Sequence, residues 1–229
     1  MNIIVNGGSR GIGKEIVINL SSDTANRIIV TGRNEDALMK LSSSSGNIHG
    51  IKLDISSGST DYESLAKIIT DHFTSVDILI NVAGMLVPKA FNDTSQTEAR
   101  MMMETNFFGP AMLIRTLRPV MSQGSHIVNI TSMGGFQGSV KFKGLSYYSA
   151  SKAALACLSE CLANEFTDSG ISVNCLALGA VQTEMLEEAF PGYKAPVTAK
   201  DMAGFISYFA MNGHKFFNGK ILPVAVSTP

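Results

Sequence analysis

Seven short runs rich in Ile and Val recur along the chain, each separated from the next by room for a helix. They are Ile3–Val5, Arg27–Thr31, Ile48–Leu53, Val76–Asn81, His126–Ile130, Ile171–Leu178 and Lys220–Val224. Runs this short, apolar throughout rather than alternating, suit strands covered on both faces. Strand and helix in alternation predict an α/β fold of three layers: a doubly wound parallel sheet of about seven strands with right-handed crossovers. No linker or fixed-length repeat breaks the pattern, and Ser42–Ser45 reads as a helix-to-strand loop. At 229 residues the expectation is one domain spanning 1–229.

Only 16% of the residues are charged, against roughly 25% in an average soluble domain, which implies a generous core. A formal net charge of -1 gives no field to attract nucleic acid or an anionic membrane. No window approaches a bilayer-spanning apolar stretch. The strand-like run from Asn2 leaves no room for a leader peptide, so a cytoplasmic location is expected. Cys157, Cys161 and Cys175 are too few and too poorly spaced for a disulfide framework or a zinc site, and no metal is expected. Cys157 and Cys161, four apart on one helix, read as small buried hydrophobes.

The first strand runs into Asn6-Gly7-Gly8-Ser9-Arg10-Gly11-Ile12-Gly13, which opens a helix. Glycine there allows a sharp turn and close backbone approach to a pyrophosphate, whose charge suits the free N–H groups at the helix start. Much later, Tyr148 and Lys152 stand four apart, on one face if the helix that follows already includes Tyr148. An ammonium about 4 Å from a phenolate, at an effective dielectric of about 20, is worth roughly 4 kcal/mol. That could lower a phenol pKa by up to about three units, and a tyrosine so tuned serves as a general acid or base.

Asn6–Gly13, Asn81-Val82-Ala83-Gly84, Asn106, Ser132 and the Tyr148/Lys152 pair come in the order and approximate spacing of the short-chain dehydrogenase/reductase family. From residue 2 to about residue 185 the chain resembles its compact oxidoreductase branch rather than the longer sugar-nucleotide epimerases. An enoyl reductase of this fold would place its tyrosine seven residues before the lysine, where Leu145 stands. The resemblance implies a dinucleotide-binding (Rossmann) fold and a hydride transfer between nicotinamide and a ketone or secondary alcohol. It implies Tyr148 as proton donor, Ser132 as holder of the substrate oxygen and Lys152 as ribose ligand. Asn106 would bend its helix and complete a proton relay. Cofactor contacts would come from Gly7, Ser9, Arg10, Gly11, Ile12, Gly13, Asp54, Ile55, Asn81, Ala83, Gly84, Val181 and Thr183. Asn81 equally suits a sheet-capping role without ligand contact.

The second strand ends Val30-Thr31-Gly32-Arg33-Asn34, with no carboxylate at its tip to hold a ribose 2′-hydroxyl. Glu35 and Asp36 suit the first turn of the next helix. Arg33 and Arg10 together match a 2′-phosphate, favouring NADP(H) over NAD(H).

Departures from the family pattern are Asn6 in place of Thr, and Leu178-Gly179 in place of Pro-Gly, which is expected to loosen the turn at the nicotinamide. Residues 222–229 lack the usual Asp-Gly-Gly close, leaving a homodimer more secure than a homotetramer. Met85–Phe91, Met133–Leu145 and Gln182–Val197 are the candidate walls of an apolar site for a small carbonyl or alcohol substrate. Lys89, Lys141 and Lys143 either meet an anionic substrate, such as a 3-oxoacyl thioester on a carrier, or are surface lysines. The segment 184–199 is short for a lid and predicts an open site. Met101–Met103 and the Cys157 helix suit either a subunit contact or plain core. The rival from another class is a non-catalytic NADP(H)-binding sensor or scaffold.

Overall fold

The structure, a computed structural model, describes residues 1–56 and 60–226. The seven apolar runs become the strands β1 (Asn2–Asn6), β2 (Arg27–Gly32), β3 (Ile48–Lys52), β4 (Ile78–Asn81), β5 (His126–Ser132), β6 (Ser172–Leu178) and β9 (Ile221–Val224). They form one parallel sheet in the order β3-β2-β1-β4-β5-β6-β9. Two shorter strands, β7 (Val181–Gln182) and β8 (Val197–Thr198), pair with each other outside it. The last three residues of the chain's unusual ending lie outside the described residues.

Helices cover both faces because successive residues of each strand point to opposite sides. Ile3 and Val5 pack with α1 (Gly11–Ser21), α2 (Glu35–Ser44) and α8 (Ala199–Asn212) through Ile16, Leu38 and Ile206. Ile4 and Leu79 pack on the other face with α3 (Tyr62–His72), α5 (Gly109–Leu117) and α6 (Ser146–Glu165) through Ile69, Leu113 and Ala163. Ser42–Ser44, expected in a loop, form the last turn of α2. The Ser42 hydroxyl bonds the Leu38 carbonyl and accepts from Gly50 N, so the serines extend the helix rather than end it.

The sheet reverses its winding between β1 and β4, and such a switch point opens a crevice at the carboxyl ends of the strands. Behind the crevice runs a chain of buried side chains. Thr31 donates to Asn6, Asn6 to Asn81, Asn81 to Asn129 and Asn129 to Ser159, at 3.0, 3.1, 2.8 and 2.9 Å. Strand register puts Asn6, Asn81 and Asn129 side by side, so each amide meets the next without strain. Among the described residues, no helix is long and apolar enough to cross a membrane.

Candidate active site

A cleft of about 630 Å³ lies along the carboxyl ends of β1, β2, β4, β5 and β6, a volume that suits a small-molecule or cofactor site. Every residue nominated as catalytic or cofactor-binding except Asn81 and Asn106 lines it. Gly7, at φ +93°, bends the chain out of β1, and a Cβ there would lie 2.4 Å from Ala83 N. The bare backbone opens the start of α1 to an anion. Gly84 forms part of the opposite floor, where a Cβ would stand 3.2 Å from Lys152 Nζ.

At the dinucleotide end, Arg10 and Arg33 both line the cleft. Asn34 caps α2 by accepting from Ala37 N, and Glu35 and Asp36 occupy the first turn as expected. Glu35 also pairs with Lys52 at 3.1 Å. Asp54 follows the end of β3. Burial opposes its ionisation, but hydrogen bonds from Ser56, aided by Arg33, hold its carboxyl below the usual range. Glycine floor, free helix start and paired arginines fit a phosphorylated dinucleotide.

At the reacting end, α6 begins at Ser146, which puts Tyr148 and Lys152 one turn apart on the same helix. Ser132, the last residue of β5, lines the cleft together with the Tyr148 phenol and accepts from Gly134 N at 3.2 Å. Lys152 is buried, and its Nζ donates to the Ile130 carbonyl at 2.9 Å. The helix carrying Asn106 widens into a π-helical turn over Glu104–Phe108, between α4 (Gln96–Met103) and α5. The Asn106 amide accepts from Met85 N at 2.7 Å and donates to Met85 O at 2.8 Å and Ser151 Oγ at 2.9 Å. Ser151 in turn donates to the Tyr148 carbonyl at 2.7 Å. Asn106 thus ties the loop after β4 to the turn of α6 that bears Tyr148.

The short chain dehydrogenase family model matches residues 1–194. The chain belongs to that family. It is an oxidoreductase of the short-chain dehydrogenase type. An uncharacterised oxidoreductase of Staphylococcus epidermidis is 27% identical over 207 residues, covering 90% of this chain and 88% of the relative. Dehydrogenase/reductase SDR family member 7B of Danio rerio is 34% identical over 202 residues, 83% of this chain and 64% of the longer relative. Among solved structures, a short-chain dehydrogenase/reductase from Serratia marcescens superposes with a TM-score of 0.86 at 26% identity, covering 98% of this chain and 96% of that one. A short chain dehydrogenase of Burkholderia cenocepacia, in complex with NADP, has the same fold, with a TM-score of 0.85 at 23% identity and coverage of 97% and 95%.

Within this short-chain dehydrogenase, several expectations need correction. Lys152 does not lower the Tyr148 phenol: burial raises it, and the Ser132 hydrogen bond is the opposing influence. Burial also brings Lys152 down to about 8, with Cys175 pulling the other way. Asn81 does not line the cleft, its amide being used up between Asn6 and Asn129. Leu178 does not loosen the turn. It remains in β6, paired with Ser132 and Val224, and Gly179 N donates to the Val224 carbonyl at 2.9 Å. Cys157 and Cys161 are exposed rather than buried, and of Met101–Met103 only Met102 belongs to the core.

The segment after β7 covers more of the cleft than its length suggested. Thr183 caps α7 (Glu184–Ala189) by accepting from Leu186 N. Met185, Leu186, Phe190 and Tyr193 line the cleft together with Phe142 and Leu145. Two contributors escaped the sequence reading: Ser151, and Glu188, which pairs with Arg10. The position of Ser151 three residues after Tyr148, and the acidic run Glu184, Glu187 and Glu188, are the signals that could have found them.

Proposed function

We propose that residues 1–229 act as one catalytic domain, an NADP(H)-dependent reductase that interconverts a ketone and a secondary alcohol. The observation that carries this reading is that Ser132, at the end of β5, lines one cleft with Tyr148 and with buried Lys152 one turn along α6. The nicotinamide cofactor supplies the hydride for the carbonyl carbon. Gly7, Ser9, Gly11, Ile12 and Gly13 hold the pyrophosphate, and Arg10 and Arg33 take the 2′-phosphate. The NADP complex of the Burkholderia relative supports the same choice. Asp54, Ile55, Ala83 and Gly84 border the adenosine half; Val181 and Thr183 border the nicotinamide.

Tyr148 donates its phenolic proton to the carbonyl oxygen as charge develops there, and Ser132 holds that oxygen by hydrogen bonding. A raised phenol pKa keeps Tyr148 protonated at neutral pH, the form that reduction requires. Lys152 holds the ribose beside the bare floor of Gly84. Asn106 positions the Met85 backbone and, through Ser151, the Tyr148 turn. A homodimer or homotetramer belongs to the same proposal. Tyr208 and Phe216, 69% and 76% exposed, supply apolar surface for a subunit contact.

Replacing Tyr148 by Phe tests the enzyme against the sensor alternative. The expected result is loss of carbonyl reduction with NADPH binding retained. Turnover equal to the parent in Tyr148→Phe would remove the proton donor from the mechanism.

A further inference from the structure

Three lysines lie in the segments nominated as substrate walls, and the structure separates them. Lys89 is held by Glu98, whose carboxyl it helps bring down to about 2. Lys141 donates to the Phe136 carbonyl and the Ser139 hydroxyl of its own loop, at 2.6 and 2.9 Å. Lys143 alone of the three lines the cleft, and it makes no hydrogen bond or ion pair among the described residues. Its loop is braced on both sides. Ser139 bonds the Met133 and Phe136 carbonyls, and Lys89 N donates to the Gly144 carbonyl at 3.1 Å. Lys143 is exposed, and the cleft it lines also carries the apolar side chains of Phe142, Leu145, Phe190 and Tyr193.

We propose that Lys143 binds an anionic group of the substrate, so that the carbonyl compound reduced here has an apolar body and a negatively charged end. This rests on the reductase reading above. An apolar wall gives little discrimination by itself, whereas a cation at its rim orients an amphiphilic molecule with its charge outward and its carbonyl inward. Carboxylate and phosphate share the chemistry that an ammonium recognises.

The test compares a medium-chain methyl ketone with two counterparts, one ending in a carboxylate and one in a phosphate ester. KM and kcat are measured with NADPH, and binding of each ketone is followed by calorimetry. In Lys143→Gln the ratio of KM for either anionic ketone to that for the neutral one rises about two- to fivefold, as for an exposed ion pair, and Lys143→Arg restores it. High salt shrinks the preference of the parent for the anionic ketones. An effect on the carboxylate alone, or on the phosphate alone, identifies the source of the anion. Equal ratios in parent and Lys143→Gln overturn the proposal while leaving the reductase intact. If the parent reduces no ketone, the reductase reading fails, and calorimetry still decides whether Lys143 selects the anions.

Discussion

The Arg10 guanidinium, offered to the cleft by the glycine turn, is gripped by the Glu188 carboxylate of α7 at 2.6 and 3.4 Å. Arg10 is also one of the two cations suited to a 2′-phosphate, so two anions contend for one guanidinium. With side chains 48% and 62% exposed, the pair is worth about 0–1 kcal/mol, which limits the competition to about fivefold. Glu188→Gln should therefore tighten NADPH binding by up to about fivefold without tightening NADH. Arg10→Ala should weaken NADPH and abolish the effect of the Glu188 change. Calorimetric dissociation constants for the single and double variants check this, the cycle being non-additive if the two residues share the ligand.

Lys152 is a buried cation whose pKa has fallen to about 8 from 10.5. Because the folded value is depressed, the unfolded chain binds the extra proton between those two pH values. Stability conferred at this site is thus present above 10.5 and lost as pH falls through about 8. At about 1.4 kcal/mol per unit the charge costs about 3 kcal/mol at neutral pH, and the bond to Ile130 offsets about 1. Lys152→Met should be more stable than the parent by about 1–3 kcal/mol at pH 7 and catalytically impaired. Urea unfolding and NADPH oxidation measured on the same preparation test both halves.

His126 is fully buried in β5, with Nδ1 bonded to the Ala210 carbonyl at 2.9 Å and Nε2 facing the Asn174 amide at 3.0 Å. Burial brings its pKa down to about 4, against the pull of the Ala210 carbonyl and with the help of nearby His214. The folded value again lies below the unfolded one. Its contribution is complete above about 6.5 and disappears as pH falls through about 4, a change of about 3 kcal/mol. Unfolding free energies of the parent minus those of His126→Gln, followed across that range, should decline by about this amount. A flat difference would show that His126 does not govern acid stability.

Asn81 serves the sheet rather than the ligand. Asn81→Leu strands the Asn6 amide and the Asn129 carbonyl oxygen, each costing about 1–3 kcal/mol when left without a partner. A loss of about 2–5 kcal/mol in unfolding free energy is expected, with NADPH affinity changed less than about threefold below the melting transition. A large affinity loss with unchanged stability would return Asn81 to the cofactor contacts.

The sheet was legible because its strands are buried on both faces and carry uninterrupted Ile and Val, as in β1 and β4. The glycine turn and the Tyr148/Lys152 spacing were legible because each is local. What stayed hidden depends on distant partners. Arg10 and Glu188 are 178 positions apart, and Asn81 and Asn129 are 48 apart, joined only by strand register. The raised Tyr148 phenol is not legible in the sequence because spacing fixes only which face a side chain shares, whereas its ionisation follows from burial.

Steady-state oxidation of NADPH against a panel of ketones, with NADH in parallel, addresses hydride transfer most directly. The expected result is ketone-dependent oxidation, faster with NADPH at equal concentration and absent in Tyr148→Phe. Oxidation that ignores the ketone, or NADH serving as well as NADPH, would contradict the assignment of Tyr148 as donor or of Arg10 and Arg33 as the phosphate site.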